Sequence, residues 1–277
     1  VLSLGLIKWA SSFVSGSNHD YGFGTQDVTF QSNTTINNTN STVSLLVNSN
    51  TNISASTFDI GSYVNDALSG SGTSNTASDT NRTGIYVAGG SIATVTGGSR
   101  KRYDIFDSSN PPVGGIKNGP VGPWHGVEYT DYTGTKFNVF GSGNNGIYSL
   151  GTLNLNGSNV KFDVSGNSND GVDLGGGTAT VTSNSYTVSG SNNNGINVRN
   201  GSTLTNVTNS TFNVGGTSNN GINLQNGSTL TNVTNSTFNV TGDSSNGILK
   251  RTSNPTVITN GTFNVSGTGA SGIIYSG

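Results

Sequence analysis

The sequence predicts an all-β protein, a single right-handed parallel β-helix with about 25 residues and three short strands per rung, and three observations predict it. An aromatic residue is followed nine positions later by Gly and then Val or Ile in six places: Phe137/Gly146-Ile147, Phe162/Gly171-Val172, Tyr186/Gly195-Ile196, Phe212/Gly221-Ile222, Phe238/Gly247-Ile248 and Phe263/Gly272-Ile273. These phrases recur every 24 to 26 residues, the period of a solenoid. Asn193 to Val214 also matches Asn219 to Val240 except at Val198/Leu224 and Arg199/Gln225. Finally, each repeat divides into three alternating segments flanked by turn formers, as in Gly221-Ile222-Asn223-Leu224, Thr229 to Val233 and Thr237-Phe238-Asn239-Val240.

One such rung cannot bury its apolar face alone; stacking at the strand spacing of about 4.8 Å can. The expected interior is a ladder of Phe137, Phe162, Tyr186, Phe212, Phe238 and Phe263. A second ladder holds Ile147, Val172, Ile196, Ile222, Ile248 and Ile273, and a third holds Val181, Val207, Val233 and Ile258. The glycine before each Ile or Val marks a positive φ or a close approach of backbone. Stacked Asn at the turns adds side-chain amide ladders.

Composition agrees. Gly contributes 42 residues, charged residues only 9%, and there is no Cys or Met. Gly and Asn disfavour helix interiors, while recurrent β-branched and aromatic residues and a net charge of −2 set the chain apart from disordered polymers. The near-neutral balance argues against nucleic acid as partner, since phosphate binding needs a basic face. No apolar run is long enough for a membrane-spanning helix, so no membrane insertion is expected. Without Cys there is neither a disulfide framework nor a thiolate metal site.

All 277 residues read as one β-helix domain. Residues 1–25 form an N-terminal cap, residues 26–136 are irregular rungs, and residues 137–277 are regular ones. Phe58 and Tyr103 resemble earlier rung aromatics, with Gly84-Ile85 and Gly126-Val127 as their delayed partners. The excess spacing implies two insertions, near 66–83 and 106–125, leaving side by side from one corner. The second contains four of the five prolines, with Trp124 and His125, and lies between Arg100-Lys101-Arg102 and Glu128/Asp131. Insertions in solenoids map to loops, often on the binding face. Arg100, Arg102, Trp124, His125, Glu128 and Asp131 are therefore the expected ligand-binding residues.

No catalytic residues and no cofactor are assigned. The acidic residues around the second insertion have no recognisable catalytic spacing, and no Gly-x-Ser-x-Gly elbow precedes a helix. No metal site is expected either. Asn167 to Asp173 offers oxygen ligands and a Gly, but it lacks the terminal Glu of a calcium loop and reads as a turn in which Asp replaces Asn.

Asn-Asn-Gly-Ile and Gly-Ser-Thr-Leu-Thr-Asn-Val-Thr-Asn-Ser-Thr-Phe-Asn-Val resemble the β-helix passenger segments of bacterial autotransporters and related secreted adhesins. The resemblance implies an extracellular or bacterial cell-surface location and a non-enzymatic, adhesive role. The partner would be a cell-surface glycan or protein, or copies of the chain itself. Two other readings stand beside it: a self-assembling subunit stacking end to end, and a polysaccharide lyase or hydrolase of the pectate-lyase-like type.

Overall fold

The computed structural model describes residues 28–29, 43–47, 50–53, 57–60, 83–97, 99–107, 124–133, 135–225 and 227–276. The expected N-terminal cap, Phe30 and all but the last residue of the first insertion lie outside them. Among the described residues there is no helix, and parallel strands stack as a solenoid with about 26 residues between equivalent positions.

Three walls run along the axis. The first stacks Val43–Val47, Thr83–Val87, Asn145–Ser149, Asp170–Leu174, Asn194–Val198, Asn220–Leu224, Asn246–Lys250 and Ser271–Tyr275 as an eight-stranded parallel sheet. The second carries Thr51–Ile53, Ile92–Thr96, Thr203–Thr208, Thr229–Thr234 and Val257–Thr259. The third carries Thr57–Ile60, Thr135–Val139, Thr211–Val214, Thr237–Val240 and Thr262–Val265. The long strands Thr152–Val164 and Thr178–Val188 each run from the second wall to the third, and their mutual register shifts between Asn156 and Val160, where the walls meet.

Alternation sets the faces. In Thr237–Val240 the side chains of Phe238 and Val240 turn inward while Thr237 and Asn239 turn out. In-register pairing then places like over like. Ile147, Val172, Ile196, Ile222, Ile248 and Ile273 form one column. Val181, Val207, Val233 and Ile258 form another. The rings of Phe137, Phe162, Tyr186, Phe212, Phe238 and Phe263 stack with centroids 4.5–4.9 Å apart and planes within 6° of parallel. That spacing is the strand spacing, so the backbone ladder dictates the face-to-face geometry.

Tyr186 is the exception in this column. Its ring is fully buried, and its hydroxyl has no hydrogen-bond partner among the described residues. Burial drives its pKa well above the usual phenol range. Phe fills the position in the neighbouring rungs, so Tyr186→Phe is expected to raise stability by about 1 kcal/mol. A denaturation midpoint that falls would contradict the unsatisfied-hydroxyl reading.

Corners are made by residues that tolerate the left-handed conformation. Ser168, Asn192, Ser218 and Ser244 have φ of 57, 55, 56 and 53° at one corner, and Asn209, Asn235 and Asn260 have 49, 49 and 52° at another. Beside the first of these corners runs a buried amide column. The backbone N–H groups of Asn144, Asn169 and Asn193 donate to the Oδ1 atoms of Asn169, Asn193 and Asn219 in the next rung, each at 2.7 Å. Their own Nδ2 atoms donate to the carbonyls of Phe140, Ser165 and Ser189, closing each turn. The apolar core and this column together leave few polar groups unpaired inside.

Two sequence expectations are corrected. Tyr103 is not a rung aromatic, and Gly126-Val127 is not its partner: Ser99–Asp107 and Trp124–Thr133 pair with each other as an antiparallel hairpin, with Tyr103 opposite Glu128 and Asp104 opposite Val127. Phe58 instead pairs with Phe137, and Ile85 with Ile147. The two excursions therefore do not share a corner. Residues 61–82 join the third wall to the first, whereas the hairpin is inserted between the second wall and the third. The glycine expectation is narrowed as well. Gly146, Gly171, Gly195, Gly221 and Gly247 show close backbone approach without positive φ.

Candidate functional site

Two surfaces stand out from the repeat: the inserted hairpin and the outer face of the first wall. The hairpin leaves the column after Thr96 and returns at Thr135. The buried Thr135 hydroxyl donates to the carbonyls of Thr96 at 2.6 Å and Gly97 at 3.2 Å, tying the two ends together. Nine residues of strand reach roughly 27 Å from the base.

The structure places all six expected ligand-binding residues on this hairpin, but spread along its length. Trp124 pairs with Asp107 and His125 with Phe106 at the end away from the column. Glu128 pairs with Tyr103 and Arg102 with Tyr129 midway. Arg100 pairs with Tyr132 near the base. Asp131 falls where the register shifts between Arg100 and Lys101, in the manner of a β-bulge. The prolines of the connecting segment lie outside the described residues.

The outer face of the first wall holds a polar network that the sequence reading missed. Asn145, Asp170, Asn194, Asn220 and Asn246 occupy one column, and Tyr148, Asp173, Asn197 and Asn223 another. Asp170 accepts hydrogen bonds from Asn194 Nδ2 at 2.7 Å and Asn197 Nδ2 at 2.9 Å. Arg199 forms a two-pronged pair with Asp173, at 2.8 and 2.7 Å, and its guanidinium lies 5.6 Å from the Tyr148 ring centroid. Asp173 is almost wholly buried beneath this pair. The segment read as a turn is a corner at Asn167 to Asn169, with Ser168 at a φ of 57°, and becomes a strand from Asp170, which takes the place of Asn in its column. A trace existed in the sequence: once the rungs are aligned, Asp170 and Asp173 are acidic where the next rungs have Asn.

Withdrawal from water, and then the neighbouring Asp173 carboxylate, push the Asp170 carboxyl up to about 7. Hydrogen bonding to Asp173 first, and its charge, raises Arg199, which stays cationic. The folded chain therefore holds the Asp170 proton more tightly than the unfolded chain does. Its stabilising contribution is complete below about pH 4 and is lost as pH rises to about 7. Asp170→Asn, which restores the column's usual amide, is expected to flatten this slope and to stabilise the protein by about 2 kcal/mol at pH 8. Denaturant midpoints of both chains at pH 4 and pH 8 check this; equal slopes would contradict it.

Among the described residues, no three His, Cys, Asp or Glu side chains gather closely enough to hold a metal ion. No helix among them is long and apolar enough to cross a membrane. By fold, this is a parallel β-solenoid carrying an antiparallel hairpin at one corner. No protein-family model, curated protein or solved structure matches the chain.

Proposed function

We propose that the protein is a non-enzymatic extracellular scaffold, a stiff column that presents the Ser99–Asp107/Trp124–Thr133 hairpin to a glycan or protein on a host or neighbouring bacterial surface. The observation that carries this reading is the continuity of the stack across the insertion. Ile53, Val95 and Leu155 stay in register below and above the excursion, as do Phe58, Phe137 and Phe162. A segment that can be inserted without disturbing its support is free to serve contact instead of packing. The displayed strands also carry charged and aromatic residues, Trp124 and His125 among them, more densely than the rungs do. The polar network on the first wall favours a structural role for its acids, since Asn194, Asn197 and Arg199 already engage Asp170 and Asp173.

The test replaces residues 98–134 by Ser-Asn, so that Gly97-Ser-Asn copies the Gly157-Ser158-Asn159 link that joins Asn156 to Val160 in the next rung. The expected result is an unchanged β-rich circular dichroism spectrum with adhesion to cell monolayers and immobilised glycans lost. Retained adhesion would overturn the assignment to the hairpin.

A further inference from the structure

The outer face of the first wall contains a groove that the hairpin reading does not use. Asn194, Asn220 and Asn246 form its floor with Asn223 beside them, and it encloses about 320 Å³. One lip is the stacked corner of Asn192, Ser218 and Ser244. The other side is closed by Leu249 and Arg251.

The floor is linked along the axis. Asn220 Nδ2 donates to Asn194 Oδ1 and Asn246 Nδ2 to Asn220 Oδ1, both at 2.9 Å, and Asn223 Nδ2 donates to Asn197 Oδ1 at 3.2 Å. An amide has two N–H donors and an acceptor with two lone pairs, and such a ladder consumes one of each. Each central amide thus retains one donor and one lone pair, repeated at the strand spacing of about 4.8 Å. At the edge, the exposed Arg251 donates Nη1 to Asn223 Oδ1 at 3.0 Å, and no carboxylate pairs with it among the described residues.

Paired donors and acceptors repeating along a line match a chain of hydroxyl groups, each of which both gives and accepts. A single guanidinium adds a place for one anionic substituent. The alternatives fit less well. One cation is too little for a polyphosphate backbone. A peptide could not add as a strand, because the wall's strands are already paired on both sides along the groove. We propose that this groove binds an extended acidic saccharide, with hydroxyls on Asn194, Asn220, Asn223 and Asn246 and a uronate carboxylate on Arg251.

Calorimetric titration of the full chain with β-1,4-linked oligomers of glucuronic acid, against cello-oligomers of equal length, tests it. The acid oligomer is expected to bind more tightly. Arg251→Gln should weaken it by at least about tenfold, to the level of the neutral oligomer. Asn223→Leu, which copies Leu249 at the same position of the next rung, should weaken both oligomers. The chain with residues 98–134 replaced should bind as the parent does, which separates this groove from the hairpin's adhesive role. Failure of both oligomers to bind, an unaltered preference in Arg251→Gln, or loss of saccharide binding on hairpin replacement alone would each overturn the proposal.

Discussion

Gly221→Ala is expected to break the column locally, at about 3–5 kcal/mol. A Cβ built on Gly221 would stand 2.6 Å from the Gly247 carbonyl oxygen, 3.2 Å from Phe238 Cδ1 and 3.4 Å from Phe212 Cβ. None of these can yield alone. The carbonyl belongs to the backbone of the next rung, and both rings are fixed by their neighbours in the stack. The same approach recurs at Gly171, Gly195 and Gly247, where the nearest atom is the carbonyl of the next glycine at 2.6, 2.6 and 2.5 Å. A line of glycines is therefore what lets successive rungs sit at strand distance on the ring side of the first wall. Gly201→Ala is the control. Gly201 has φ of +73° and open space within 4 Å. It should lose only the left-handed preference, about 1 kcal/mol. Denaturant midpoints of the two variants should differ clearly; equal midpoints would show that the close approach carries no energy.

Phe212→Ala is the second large effect, roughly 3–5 kcal/mol. Phe212 is fully buried and sandwiched, 4.5 Å from the Tyr186 ring and 4.7 Å from the Phe238 ring. Truncation leaves a ring-sized void between two rungs whose spacing is held by hydrogen bonds, so the stack cannot collapse to fill it. Phe263 touches one ring only and is partly exposed. Phe263→Ala should cost about half as much, because solenoid stability is a sum over neighbouring interfaces. Comparable losses at both sites would argue against a nearest-neighbour stack.

The regular rungs were legible because their signal is redundant. Ring, glycine and β-branched residue recur in fixed order, and any one of them sets the register of the others. Where the cues are separated, the sequence is ambiguous: Phe58 and Ile85 join their columns, whereas Tyr103 does not. Tyr103-Asp104-Ile105 has the same local alternation as Phe58-Asp59-Ile60, and alternation is common to parallel rungs and antiparallel hairpins alike. Which partner a strand finds is a long-range fact. Counting forward from Phe58 also assumed that the next aromatic in sequence was the next in space. A complete set of first- and second-wall strands, Thr83–Val87 and Ile92–Thr96, and the hairpin intervene before Phe137 closes on Phe58. The polar groove escaped notice for a related reason. Asn is so abundant that its outward columns look like composition, and only the in-register pairing turns them into a surface.

The central claim is that equivalent residues of successive rungs lie directly over one another. The chain has no cysteine, so an introduced pair reports this without background. Asn213 and Asn239 are paired and joined by a 2.8 Å hydrogen bond across adjacent rungs, while Asn264 sits one rung further on. Under mild oxidation, the double variant Asn213→Cys with Asn239→Cys should close a disulfide, read by peptide mass, because in-register strands bring the Cα atoms within bonding range. Asn213→Cys with Asn264→Cys should remain reduced. Closure of the second pair as readily as the first, or of neither, would contradict the stack.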